Sequence, residues 1–342
     1  MTDVLNVLLV GAGRAGLVHG RNLSGRAEGA RLVAVADPSA EAREKAGREL
    51  GCDLLIDDPV AAVSDERIDA VVIAGPTFSH AGVAVAALGA DKHVLCEKPL
   101  ASTPDEASAI LAAERASKAS FSMAFMRRFD DRFMRAAERI ASGDIGETVL
   151  VRSSGRGPGL PPEWAWDPRR SGGLVAEVNS HDLDTIRWLS GQEFASVHAF
   201  GRAAKRPDIA DRYEGFVDVI VASFELTAGL GQLDGACPAD YGYDARVEVY
   251  GTEGTLLVGG PVADSAVVVR RDGVITDPVR SWQTLFHDAY EREVQHFVRV
   301  ARGEAEPRAT VEDGVRALEG VFAVNLSIAE KRVVALEEVS VP

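Results

Sequence analysis

Over the first 125 residues, short unbroken apolar runs alternate with stretches of helical spacing. Val4 to Val10 is apolar and β-branched, and a glycine turn after it opens a helix through about Leu23. Arg31 to Ala36 reads as a second strand. Ser39 reads as the N-cap of a charged helix, because its hydroxyl can accept an orphan N–H of the first turn. Asp69 to Ala74, His93 to Glu97 and Ser120 to Phe125 continue the strands, with helices over Phe78 to Leu88 and Asp105 to Lys118 between them. Strands that are apolar at nearly every position have no solvent face. The pattern therefore predicts a parallel sheet covered by helices on both sides.

After residue 125 the rhythm changes. A helix over Asp130 to Ala141 precedes the strand-like TVLVRSS, then a loop rich in Pro, Gly and Trp that includes Trp164 and Trp166. A helix over Gly173 to Leu189 follows. Strand-like runs then crowd together: ASVHAFG, FVDVIVASFEL, GLGQLDG, ARVEVYG, TLLVG and AVVVRR, the last at 266–271. Short glycine-rich turns between them predict a largely antiparallel sheet. Helices over His287 to Arg302 and Glu312 to Glu330 close the chain.

Gly11, Gly13 and Gly16 fill a GxGxxG spacing directly after the first strand, with Arg14 and Ala15 between the last two. The first glycine makes the tight turn, the second admits a pyrophosphate, and the third lets helix and strand pack closely. Asp37 closes the second strand about twenty residues on, where an acid accepts ribose hydroxyls. Its charge would repel a 2′-phosphate, and Pro38 and Ser39 bring no arginine beside it, so NAD is expected rather than NADP. Asp37 also suits a turn cap. Thr77, after the strand ending at Ala74, can cap the next helix or touch the cofactor, and His80 reads as a packing or capping histidine. The expected fold is α/β: a Rossmann-type, doubly wound parallel sheet at 1–125, then an α+β domain at 126–342 with an open, mostly antiparallel sheet.

Composition narrows the function classes. A net charge of -15 excludes the basic surface that nucleic acid demands. The three cysteines, Cys52, Cys96 and Cys237, form no CxxC pair, so neither a zinc site nor a disulfide framework is expected. No leader and no membrane span is read from the chain, and a cytoplasmic location is expected.

Cys96-Glu97-Lys98-Pro99-Leu100, at a strand end downstream of the nucleotide fold, resembles the EKP signature of the Gfo/Idh/MocA family, which includes glucose–fructose oxidoreductase and inositol dehydrogenase. Phe125 to Asp130 (FMRRFD), Tyr241 to Asp244 (YGYD) and the helix carrying His181 look most like the inositol dehydrogenases. The resemblance implies hydride transfer to NAD from a sugar, inositol or similar polyol, no metal, and a homodimer or homotetramer joined through the open sheet. Lys98 is then expected to hold the reacting oxygen, with Glu97 beside it. Only six lysines occur in the chain, and this one lies in the motif.

Glu177 and His181 are four residues apart, hence on one helical face. A carboxylate beside an imidazole suits a general base near neutral pH. Glu177 departs from the aspartate usual in inositol dehydrogenases by one methylene. Arg127 and Asn179 are expected to contact substrate. Tyr241 and Tyr243 either do so from one face of a strand or belong to the core. Asp182 and Asp184 read as structural; a metal site from Glu177, His181 and Asp184 lacks a second histidine. Other readings are an NADP-dependent ketosugar reductase, an NAD-assisted glycosidase and a non-catalytic dinucleotide sensor.

Overall fold

Six parallel strands pair in the order β3-β2-β1-β4-β5-β6 in a computed structural model, which describes residues 4–260 and 267–342. They are β1 (Leu5–Val10), β2 (Ala30–Ala36), β3 (Leu55–Ile56), β4 (Ala70–Ile73), β5 (His93–Glu97) and β6 (Phe121–Ala124). The parallel sheet expected from the apolar runs is therefore present. Two-residue β3 escaped sequence reading because a strand that short has no period. Helices α1 (Arg14–Gly25), α2 (Ala40–Leu50), α3 (His80–Gly89) and α4 (Pro104–Ala116) connect the strands. Ser39 is the N-cap of α2, accepting from Ala42 N.

A second sheet of seven strands has the order β12-β11-β7-β10-β9-β8-β15. These are β7 (Thr148–Arg156), β8 (Phe194–Arg202), β9 (Val219–Leu226), β10 (Leu230–Ala236), β11 (Asp244–Gly251), β12 (Thr255–Val258) and β15 (Val334–Ala335). β7 and β10 pair in parallel and the other pairs are antiparallel. Along β9, Ile220, Ala222, Phe224 and Leu226 are buried while Val221, Ser223 and Glu225 are exposed. That alternation belongs to a sheet with one covered face. A separate hairpin joins β13 (Val268–Arg270) to β14 (Gly273–Ile275). Ala266, the first residue of the run expected at 266–271, and residues 1–3, where a leader would begin, lie outside the described residues.

The later helices are α5 (Asp131–Ala141), α6 (Ser180–Ser190), α7 (His287–Ala301) and α8 (Val311–Glu330). The chain forms two units: Met1–Phe129 with Asp288–Arg316 and Val341–Pro342, and Asp130–His287 with Ala317–Ser340. A single division at residue 125 thus describes only the first crossing. Nearly all of α7 returns to the first unit, where Val294 and Phe297 join the cluster built on Val7, Leu9, Val72 and Leu95. Among the described residues no helix is long and apolar enough to cross a membrane.

Candidate active site

The loops after β1 and β4 flank the point where strand order reverses, the crevice in which such sheets bind ligands. Gly11 has φ +92°, and a Cβ there would lie 2.5 Å from Gly75 N. A Cβ on Gly16 would lie 1.9 Å from the Gly11 carbonyl oxygen. Side chains are excluded from both positions by backbone. At Gly13 an added Cβ would meet nothing within 4 Å, so the open side of the loop faces free space. Gly13 is also the N-cap of α1, with no capping side chain and no acidic residue in the first turn. The first N–H groups of α1 are thus left to an anion, and Arg14 beside them is exposed.

Asp37 accepts Ala12 N and Ser39 N, both at 2.8 Å. The two expectations for this residue are therefore compatible: it ties the glycine loop to the turn after β2, and each oxygen keeps a lone pair for a hydroxyl. These features fit a bound dinucleotide. Thr77 is buried and opens a short 3₁₀ turn (Thr77–Ser79). The α-helix begins three residues later, with Ser79 as its N-cap, so Thr77 does not cap it as expected. His80 is buried, with Nδ1 2.8 Å from the Pro99 carbonyl oxygen and Nε2 3.0 Å from that of Gly75. Burial lowers its proton affinity despite those contacts. It joins the β4 loop to the turn containing Lys98.

At the end of β5, Glu97 is 6% exposed and accepts His19 Nε2 at 2.9 Å and the Lys98 backbone N–H at 3.2 Å. Burial alone would raise this carboxyl. The bond from His19 and the charges of His19 and Lys98 outweigh burial and hold it below the usual range. Lys98 is half-buried. Arg127 follows β6 and is 1% exposed.

In the second unit, the single helix expected over 173–189 is divided. A π-helical turn (Val175–Asn179) precedes α6. Its i→i+5 bonding alters the face shared by Glu177 and His181, and such turns occur often at functional sites. His181 is 6% exposed and Glu177 half-buried. Asn179, expected to touch substrate, is 0% exposed. Its amide donates to the Gly155 carbonyl at 3.1 Å and to Asp182 at 2.8 Å. Those bonds turn it toward the sheet. Asp182 also accepts Ser153 Oγ at 2.6 Å. Nothing in the spacing announced this anchor, because Ser153 and Asp182 meet only once β7 lies under α6.

Tyr241 and Tyr243 do not share a strand face as expected; both precede β11. Tyr241 is 45% exposed and donates to Asp244 at 2.7 Å, whereas Tyr243 is 7% exposed with its ring edge toward Phe286. Gly242 between them has φ +124°, which breaks the alternation. Trp166 pins its loop by donating to the Pro161 carbonyl at 2.9 Å. Among the described residues, no three His, Cys, Asp or Glu side chains group to hold a metal.

A glycine loop at the switch point, an acid closing β2 and a turn of buried Glu97 and half-buried Lys98 at the end of β5 define a dinucleotide-dependent oxidoreductase. Residues 5–125 match the description "Oxidoreductase family, NAD-binding Rossmann fold", and residues 133–257 match the "GFO/IDH/MocA C-terminal domain". The chain belongs to the GFO/IDH/MocA oxidoreductase family, as the motifs implied, and its cofactor is NAD. It is 34% identical to the scyllo-inositol 2-dehydrogenase (NAD(+)) of Bacillus subtilis (strain 168), over 95% of this chain and 94% of that protein. It is 35% identical to the inositol 2-dehydrogenase of Rhizobium meliloti (strain 1021), over 96% and 98%. A similar solved structure is the scyllo-inositol dehydrogenase of Lactobacillus casei with bound NAD(H) and scyllo-inositol. Its TM-score is 0.91 at 28% identity, covering 98% of this chain and 100% of that one.

Proposed function

We propose that this enzyme oxidises one secondary hydroxyl of an inositol or closely related polyol to the ketone. The observation that carries the substrate class is the likeness, over 95% or more of the chain, to two inositol dehydrogenases. When bound, NAD supplies the hydride acceptor, so the alcohol loses a hydride and a proton. The α1 N-terminus and the glycine loop hold the pyrophosphate, and Asp37 and Thr77 flank the ribose side. Lys98, presented by the Glu97 turn, holds the reacting oxygen and favours its developing negative charge. His181 takes the hydroxyl proton, and Glu177 favours the imidazolium that results. Arg127 orients the substrate hydroxyls, and Tyr241 is retained as a further contact.

A general base contributes about 10²–10⁴-fold to such a reaction. Lys98→Ala and His181→Ala are therefore each expected to lower kcat by about a hundredfold or more, with NAD affinity little changed. The test is NADH absorbance with inositol isomers, aldoses and glycosides. Turnover of inositols with those losses supports the reading, whereas full turnover in both variants overturns the assigned roles. We further infer a homo-oligomer, because the outward face of the seven-stranded sheet carries exposed Phe200, Val221, Leu230, Tyr250 and Leu257.

A further inference from the structure

Behind the Lys98 turn lies a buried acid that the proposed reaction does not use. Helix α7 places Tyr290 and Glu293 three residues apart, on one face. The Tyr290 ring meets His19 edge-on, with centroids 5.4 Å apart, and His19 Nε2 in turn donates to Glu97. Glu293 lies on that same face of α7, within reach of the Glu97 charge. Glu293 is 1% exposed, and neither carboxyl oxygen accepts a hydrogen bond from any described residue.

The charge that reaches it is that of Glu97 at the end of β5, which is itself bonded to His19 from α1 and followed by Lys98, and Tyr290 lies on its own helix. Cys96, just before Glu97, is a buried thiol whose proton is held tightly by that burial and by the Glu97 charge. An ionised Glu293 here would set a second carboxylate against Glu97 without a cation of its own. Such a charge is costly in a dry interior, whereas a neutral carboxyl is tolerated and gains one O–H donor. Burial first, then the Glu97 charge, pushes the Glu293 carboxyl well above the usual carboxylate range. Each Glu97 oxygen already accepts one N–H and keeps a lone pair for a further donor.

We propose that Glu293 is a positioning residue for hydride transfer: a buried carboxylic acid whose single O–H serves Glu97 and thereby fixes the Lys98 turn. The idea rests on the role proposed above for Lys98. In this role Glu293 acts through Glu97 and Lys98, not through contact with substrate or cofactor.

Two variants separate this role from simple packing. Glu293→Gln keeps the size and a donor but cannot ionise; Glu293→Leu keeps the bulk and loses the donor. A carboxyl raised on folding binds more protons in the folded chain than in the unfolded chain at any pH between its two values. Stability of the natural protein therefore falls as pH rises above the unfolded value and on toward the folded one. Glu293→Gln lacks that contribution. The melting temperature of the natural protein minus that of Glu293→Gln, measured without cofactor or substrate from pH 5 to 9, is expected to decrease steadily. A difference that stays flat or rises overturns a protonated Glu293.

In turnover, Glu293→Leu is expected to lose roughly tenfold or more in kcat, with the Kd for NAD within about threefold, because small misplacement of a reacting group is costly. Glu293→Gln is expected to recover most of that loss. Equal losses in the two variants, or a loss confined to NAD affinity, overturn the positioning role. If the natural protein oxidises no polyol, the substrate reading fails instead. The pH series, together with the carbonyl stretch of a protonated buried carboxyl in difference infrared spectra (expected in the natural protein, missing in Glu293→Gln), still decides where the proton sits.

Discussion

Asp37 performs two tasks with one carboxylate, and only one of them needs a ligand. Its oxygens accept Ala12 N and Ser39 N, so it organises the glycine loop before NAD arrives. Substitution is therefore expected to cost both order and selectivity. Asp37→Ala should lower the ratio of NAD to NADP efficiency by about tenfold or more, the worth of roughly 1.4 kcal/mol. It should also lower the melting temperature, since each lost bond to a charged acceptor is worth about 1.5–3 kcal/mol. Paired kcat/KM values and a thermal melt check this; an unchanged cofactor ratio would leave Asp37 as a loop tie alone. The glycine spacing and the position of Asp37 were legible because local geometry demands them. His19 and Glu293 were not: Glu97, which His19 bonds and Glu293 is proposed to serve, is 78 residues from one and nearly 200 from the other.

At the scale of elements, the turn that carries Glu177 and leads into the helix of His181 lies against the sheet beneath it. Asn179 and Asp182 lie against Gly155 and Gly235, where a Cβ would come within 2.0 Å of Asp182 Oδ2 and 2.2 Å of Asn179 Oδ1 respectively. Glycine is required there by close approach. Gly235→Ala is expected to displace Asn179 and disturb the π-helical turn. Overpacking of this kind costs about 1–3 kcal/mol, and kcat should fall more than NAD affinity. Urea unfolding and steady-state kinetics measure the two effects; a variant with natural stability and turnover would show that the turn holds itself. The amphipathic spacing told that a helix lies near 173–189. It did not tell that the first turn is wound differently, because that turn lies against β7 and β10, whose approach the helix's own spacing does not record.

For the whole molecule, the charge of -15 and the outward face of the seven-stranded sheet point in different directions. Charge favours separation of copies, and exposed apolar residues favour association. Phe200 is paired with Val221, and Leu150 with both Leu230 and Tyr250, on one surface, with the polar row of His198, Ser223, Gln232, Arg152 and Glu248 between the two groups. Association is expected to win at physiological salt, where charges farther apart than about 8 Å are largely screened. Sedimentation equilibrium should give a mass at least twice 36.3 kDa. Phe200→Asp should shift that mass toward the monomer; a natural protein that sediments as a monomer throughout would remove the proposed assembly.

The sequence by itself determined the parallel sheet, the glycine loop with its acid, the Glu97-Lys98 turn and the family. Each is written in a short window, where period, turn chemistry and motif spacing act on neighbouring residues. Only the tertiary structure decided that α7 returns to the first unit, that Asn179 faces the sheet, that Tyr241 and Tyr243 diverge, and that Glu293 is buried near Glu97. Those outcomes depend on which distant segments exclude water from one another, and no local pattern records that.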